Sequence, residues 1–137
     1  MNFIGIQKLE NLLLVSVPRD LIDDEVIRLR RDILKAIRLY KTQIVLLDFS
    51  QVDISDSFFG RFIYSTSQMT QLMGAKIILS GLQDAVIETM VELGMTLPEV
   101  DAVLDLDDAL ELSRQLATEQ QIEIEDGADD VTKQGKT

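Results

Sequence analysis

The sequence predicts an α/β fold, a single domain in which a mixed β-sheet packs against about four α-helices. Strand and helix patterns alternate along most of the chain, which is typical of this class. The unbroken apolar run Ile44–Leu47 predicts a strand buried on both faces, as in parallel sheets. The 137 residues, 46% of them hydrophobic, suffice for one compact core.

The first elements are two short strands followed by a long helix. Strands are predicted over 3–6 and 11–17, with a tight turn at 9–11 and Pro18 ending the second. The acidic triplet 23–25 begins a helix that runs to about Tyr40, since acidic residues favour a helix N-terminus. Its apolar residues recur at helical spacing, and its basic residues occupy mostly the opposite face.

Three further helices alternate with the remaining strands. Helices are predicted over 57–73, 84–93 and 107–117, and strands over 44–49, 75–80 and 100–104. Gly74 and Gly94 stand where helix C-caps are expected. Either Asp105 or Asp107 is suited to cap the last helix.

The end of the chain differs in composition from the rest. Residues 118–137 contain six acidic residues against two lysines, a net charge of −4, and few large apolar side chains. We therefore predict a folded domain over 1–117 and an acidic, disordered tail over 118–137.

The composition narrows the classes of function. A net charge of −11 disfavours nucleic acids and anionic lipids as partners, because both are bound through lysine and arginine. No apolar run approaches the roughly 20 residues of a membrane span, and the first residues lack a signal-peptide pattern. The sequence thus predicts a cytoplasmic protein with protein partners.

The absence of histidine and cysteine argues against most catalysis. Zinc sites, thiolate chemistry and the usual neutral-pH proton shuttle all need these residues. The glycines form no nucleotide-binding loop, and no cofactor or metal is expected. A receiver-like phosphate acceptor at Asp48 would need a lysine after a late strand, whereas Lys76 is predicted to open one. We predict that the protein is not an enzyme.

The densest polar cluster, residues 48–60, connects the buried strand to the second helix. Either Asp56 or Ser57 is placed to cap that helix, because their side-chain oxygens can satisfy free backbone N–H groups. A second interpretation, compatible with capping, makes Ser57 a phosphate acceptor, since the helix dipole tolerates the added charge. Asp53 and Asp56 would then make the surface strongly negative, and Phe58, off the apolar stripe, is predicted to contact a partner.

The segment Val52-Asp53-Ile54-Ser55-Asp56-Ser57-Phe58 resembles a STAS domain, the fold of anti-sigma-factor antagonists. In that family an Asp-Ser pair opens the second helix, and a kinase phosphorylates the serine. The resemblance extends over 3–116 and is closest to the RsbS type of the stressosome. The segments that carry it are 72–83, 92–94 and 102–111.

The resemblance implies a scaffold and switch with Ser57 as the phosphorylated residue. RsbS-type proteins self-associate and assemble with RsbR-type STAS paralogues into a large particle. That particle sequesters an RsbT-type switch kinase in the general stress response. Phosphorylation of the serine releases the kinase, and an RsbX-type phosphatase resets the switch.

Two alternative functions remain compatible with the same sequence. A free-standing anti-sigma-factor antagonist would bind its kinase in a small partner-switching complex. An enzyme or nucleotide binder on a similar α/β frame is the third hypothesis, since fold alone does not fix function.

Overall fold

The computed structural model describes residues 3–19, 22–52, 57–92, 94 and 100–119. Within these ranges the strands are β1 (Ile6–Leu9), β2 (Leu12–Ser16), β3 (Ile44–Asp48), β4 (Lys76–Ser80) and β5 (Val100–Val103). The helices are α1 (Asp23–Tyr40), α2 (Ser57–Leu72), α3 (Asp84–Glu92) and α4, which covers 106–119. The predicted mixed sheet with four helices is confirmed.

The five strands form one sheet in the order β1-β2-β3-β4-β5. β1 pairs antiparallel with β2, and the other neighbouring pairs are parallel. The carboxyl ends of β2, β3 and β4 therefore lie along the same edge of the sheet. Val17, Asp48 and Ser80 mark this edge: Val17 N–H donates to the Asp48 carbonyl at 3.0 Å, and Asp48 stands opposite Ser80.

The sheet is buried on both faces, as the apolar run in β3 predicted. Helices α1, α2 and α3 contribute to a large core on one face, and α4 covers the other. Successive residues of β3 contribute to the two faces in turn. Val45 and Leu47 lie in the core on the α1–α3 face, and Ile44 and Leu46 lie in the core on the α4 face. All four side chains are essentially inaccessible to solvent. They divide between the two faces because side chains alternate along a strand.

The first strand lies three residues later than predicted. The positive φ of Gly5 (76°) and the hydrogen bond from Ile6 N–H to the Phe3 carbonyl (3.4 Å) make a turn where a strand over 3–6 was expected. The polar pair Gln7-Lys8 is instead exposed in β1, an edge strand that tolerates such residues. The position of this strand was not evident from its apolar residues, because only its two end residues are apolar.

Asp105, one of the two predicted caps, caps α4. Its Oδ1 accepts a hydrogen bond from Asp108 N–H at 3.0 Å, and its carbonyl accepts one from Ala109 N–H at 3.1 Å. The helix also extends past the predicted end at 117, so the first two residues of the predicted tail are helical. The rest of that predicted tail, residues 120–137, lies outside the described part of the chain.

Asp105→Ala is expected to lower the free energy of unfolding by about 1 kcal/mol, since it leaves an N-terminal amide of α4 without its acceptor. Urea denaturation followed by circular dichroism measures the change. Asp107→Ala is the matched control and should cost about 0.5 kcal/mol or less. Equal losses in the two variants would contradict the assignment of the cap.

Candidate functional site

The predicted switch segment begins at the carboxyl end of β3, near the centre of the sheet edge. The Asp48 carboxylate accepts a hydrogen bond from Ser50 N–H at 2.9 Å, which closes a tight turn directly after the strand. Val52 N–H then donates to the Phe49 carbonyl at 3.0 Å. These hydrogen bonds therefore fix the backbone conformation of the turn up to Val52.

Two buried side chains anchor this turn in the core. Phe49 and Val52 are both 0% exposed and belong to the large core on the α1–α3 face. Phe49 N–H also donates to the carbonyl of Ser80, the last residue of β4, at 2.8 Å. The start of the switch segment is thus fixed both to the core and to the neighbouring strand.

Gly81 brings a second segment against this turn. Its φ is +69°, and a Cβ placed on it would lie 2.8 Å from Ser50 N and 3.0 Å from Ser50 Cα. Since such contacts are shorter than a real Cβ makes, only glycine fits here without displacing Ser50. From the sequence, Gly81 was expected only to belong to no nucleotide-binding loop; its place directly after a buried strand was the signal that could have identified its contact with Ser50.

Ser57, the predicted switch residue, lies at the predicted helix start. α2 begins at Ser57, as expected, and its N-terminus is at the same sheet edge as the Asp48 turn. Asp53 and Asp56 lie outside the described residues, as do the side chains of Ser57 and Phe58. The predicted partner-binding roles of these four residues therefore stay predictions.

The helix that follows is well packed along one side. Gly60 is buried, and so are Phe62, Ile63 and Thr66 further along the helix. Arg61 is exposed on the opposite side. The helix is therefore held against the core along this side, and its first backbone N–H groups have no partner within the helix.

A small cavity of about 200 Å³ lies beside the Asp48 turn, on the α4 face of the sheet. Asp48, Ser50, Gly81 and Asp105 are among the residues that line it. Leu104, 85% exposed, forms part of its wall. This proximity of Asp105 to the Asp48 turn could not be predicted from the sequence, because the two are more than fifty residues apart in the chain.

The receiver-like alternative is wrong for this fold. Lys76 is at the first position of β4, whereas Asp48 is at the last position of the neighbouring β3. The two residues thus occupy opposite ends of the sheet, and Lys76 forms an ion pair with Asp101 of β5 at 3.3 Å. Among the described residues, no group of three or more acidic residues is placed to hold a metal ion.

Another ion pair holds α4 to the far end of the sheet. The Arg114 guanidinium donates to both carboxylate oxygens of Glu10, with distances of 3.1 Å from Nε and 2.7 Å from Nη2. Its hydrogen bonds lower the pKa of Glu10 from the ordinary value. Glu10 lies in the β1–β2 turn, where its φ is 53°. Its contact with Arg114 therefore ties the last turns of α4 to that hairpin.

Most of the folded part matches one protein family. The family model described as STAS domain matches residues 4–109. A serine-to-glutamate variant of RsbS from Moorella thermoacetica superposes with a TM-score of 0.74 and 26% sequence identity, covering 83% of this chain and 99% of that chain. No helix among the described residues is long and apolar enough to cross a membrane.

Two further similar proteins support membership of this family. A chain from the structure described as the molecular architecture of the stressosome, a signal integration and transduction hub, matches with a TM-score of 0.73 and 28% identity, covering 82% of this chain and 97% of that chain. The RsbT co-antagonist protein RsbRA of Bacillus subtilis (strain 168) is 26% identical over 91 residues, or 66% of this chain. The chain spans about a third of the length of that curated relative (33%).

Proposed function

The chain belongs to the STAS domain family, and from this premise we propose that it is a non-catalytic scaffold and switch of a stressosome. In this role it assembles with an RsbR-type paralogue, holds an RsbT-type switch kinase and releases it when Ser57 is phosphorylated. The observation that carries the proposal is that Ser57 opens α2 five residues after Val52, the last residue of a turn that is fixed to the core. The match to RsbS and stressosome chains over nearly their whole length supports it.

The proposed phosphorylation is an ordinary transfer from ATP. The kinase moves the γ-phosphoryl group of ATP onto Ser57 Oγ; the hydroxyl loses its proton, and ADP leaves. The phosphate adds about −1.5 to −2 charges and three acceptor oxygens. Free N–H groups and the dipole at the N-terminus of α2 accommodate this charge, so the fold survives the modification. An RsbX-type phosphatase would restore the serine by hydrolysis and release inorganic phosphate.

Electrostatic repulsion would release the kinase from the phosphorylated chain. The chain already has a net charge of −11, and Asp53 and Asp56 precede Ser57 closely in sequence. A phosphate on Ser57 would add to this negative charge, and it would repel an acidic kinase surface or remove the acceptor of a kinase hydrogen bond. Phe58 would supply the apolar part of the contact. We place this exchange in the cytoplasm, as the sequence predicts.

Assembly with an RsbR-type paralogue tests the scaffold role. Mixing the two purified proteins is expected to produce a particle many times larger than either protein alone. Size-exclusion chromatography with light scattering measures the mass, with each protein run separately as the control. If this chain stays a monomer or dimer in the mixture, the stressosome role is wrong. Capture of a kinase in a small complex would instead favour the free-standing antagonist.

A further inference from the structure

Three helices lie side by side on one face of the sheet and point in the same direction. α1, α2 and α3 each connect two parallel strands, which is why their directions agree. α2 lies between the other two and contacts both. Its contact with α1 includes a hydrogen bond of 2.9 Å from the Arg30 guanidinium to the Ser65 hydroxyl. We call the solvent side of these three helices the helical face.

α1 contributes a basic stripe to the helical face. The stripe consists of four exposed side chains at spacings of three, four and three residues: Arg28, Arg31, Lys35 and Arg38. The acids of α1 lie elsewhere. Three of them form its first turn, at the end of the helix nearest the sheet edge, and Asp32 lines the groove beside the β1–β2 hairpin, on the flank away from α2. Arg28 and Lys35 border that groove, whereas Arg31 and Arg38 are nearer to α2.

α3 contributes an acidic stripe at the other side of the helical face. Asp84, Glu88 and Glu92 follow one another at spacings of four residues, and all three are exposed. α3 contains no lysine or arginine, so these acids give it a charge of −3. Among the described residues, neither Arg31 nor Glu88 forms an ion pair. Both stripes are therefore available to a partner.

The two stripes are too far apart to neutralise each other within one chain. α2 lies between them, and neighbouring helices are about 8–10 Å apart, so roughly 16–20 Å separate the stripes. The Debye length is about 10 Å at 0.1 M salt, which screens most of their attraction. A second molecule can bring such charges into direct contact, which the fold of a single chain does not allow.

Between the stripes, α2 offers a nearly uncharged strip with exposed apolar groups. Tyr64, Gln68 and Leu72 follow one another at spacings of four residues, and the Gln68 amide donates to the Tyr64 hydroxyl at 2.9 Å. Leu72 is 89% exposed and Tyr64 is 43% exposed. Arg61, the only charged residue of α2, lies in its second turn, near the sheet edge. An apolar centre with a charged rim is the usual anatomy of a protein interface.

Charge complementarity selects a second copy of this chain as the occupant. Two copies can stack their helical faces about a two-fold axis that runs either across the helices or along α2. An axis across the helices would place each α1 on the partner's α1, with basic side chains against basic ones. An axis along α2 places each α1 on the partner's α3, and the same contact is formed twice. Only this second arrangement brings opposite charges together on both sides.

We propose that this protein self-associates through the helical face, as a dimer whose two-fold axis runs along α2. The basic stripe, with Arg31 at its centre, lies against the acidic stripe of the partner, and the two Leu72 side chains lie near the axis. Both copies then direct their sheet edge with Ser57 toward the same end of the dimer. This inference names the surface for the self-association in the proposed scaffold and rests on that function, but the dimer itself needs neither a kinase nor a paralogue.

Complementary charge reversals test the arrangement with the full chain alone. Sedimentation velocity at 0.1 M salt should show a dimer with a dissociation constant of about 10–100 μM. At 1 M salt, where the Debye length is about 3 Å, the dimer should be weakened by about tenfold or more. Arg31→Glu and Glu88→Lys should each weaken the homodimer by a similar factor. An equimolar mixture of the two variants should associate like the unmodified chain, because each reversed side chain then meets an opposite charge.

A pair of serine variants tests the centre of the interface. Leu72 and Leu104 are matched in exposure, at 89% and 85%, but only Leu72 belongs to the helical face. Leu72→Ser should weaken the dimer about five- to tenfold, and Leu104→Ser should leave it unchanged. Equal effects of the two variants would overturn the proposal.

Three results of the charge experiment would also overturn it. The first is an unmodified chain that stays monomeric at about 1 mM. The second is a mixture of the charge variants that stays monomeric, and the third is charge variants that each self-associate like the unmodified chain, since the dimer would then use another surface. Particle formation with an RsbR-type paralogue is a separate measurement, so failure of the dimer and failure of the stressosome role are distinguishable.

Discussion

Ser57→Glu is expected to weaken kinase capture by about 10- to 100-fold, whereas Ser57→Ala captures the kinase like the unmodified chain and does not release it with ATP. A permanent carboxylate at the N-terminus of α2 imitates part of the phosphate charge. At 1.4 kcal/mol for each tenfold change, the expected loss corresponds to about 1.4–2.8 kcal/mol of like-charge repulsion. Alanine removes the oxygen to which phosphate would be transferred and adds no charge. Biolayer interferometry with the cognate kinase, with and without ATP, measures both effects.

Ser55 supplies the matched control for this experiment. Ser55→Glu and Ser55→Ala place the same side chains two residues earlier, and we expect both to behave like the unmodified chain. Release of the kinase from Ser57→Ala at the normal rate would show that the switch residue lies elsewhere. Phosphosite mass spectrometry after incubation with kinase and ATP would then identify the modified serine directly.

Gly81→Ala is expected to lower the free energy of unfolding by about 2–5 kcal/mol and to slow phosphorylation of Ser57. About 1–2 kcal/mol comes from the left-handed backbone conformation, in which a Cβ is crowded. A further 1–3 kcal/mol or so comes from overpacking, because the new Cβ would meet the backbone of Ser50 at 2.8 Å. Ser50 belongs to the turn that leads to Ser57, so the strain is transmitted to the switch segment.

Gly74→Ala separates the two contributions to this loss. Gly74 also has a positive φ, of 76°, yet a Cβ placed on it meets nothing within 4 Å. Urea denaturation should therefore show a loss of only about 1–2 kcal/mol for Gly74→Ala, with a normal phosphorylation rate. Equal losses of stability in the two variants would mean that the contact with Ser50 carries no strain.

Periodicity and turn residues were sufficient for most of the fold. The bounds of α1 were predicted correctly, because acids mark its first turn and apolar side chains repeat along its buried face. The run in β3 identified a strand buried on both sides, which in turn required helices on both faces. β1 was misplaced, since its central residues are polar and an edge strand needs little apolar pattern.

The candidate site was predictable only in the part that is continuous in sequence. Ser57 was located at the start of a helix from residue types alone, and the structure begins α2 at that residue. The approach of Gly81 to Ser50 could not be predicted, because it joins the ends of two neighbouring strands. The cavity beside the turn likewise brings in Leu104 and Asp105, which directly precede α4.

By itself the sequence determined the α/β class, the helical position of Ser57, the acidic character of the chain and its resemblance to STAS domains. These properties depend on neighbouring residues and on composition, which a sequence contains directly. Tertiary structure alone decided that Gly81 packs against the Asp48 turn and that Lys76 is far from Asp48. Each of these depends on the order and direction of the strands, because sheet pairing brings together residues that are far apart in the chain.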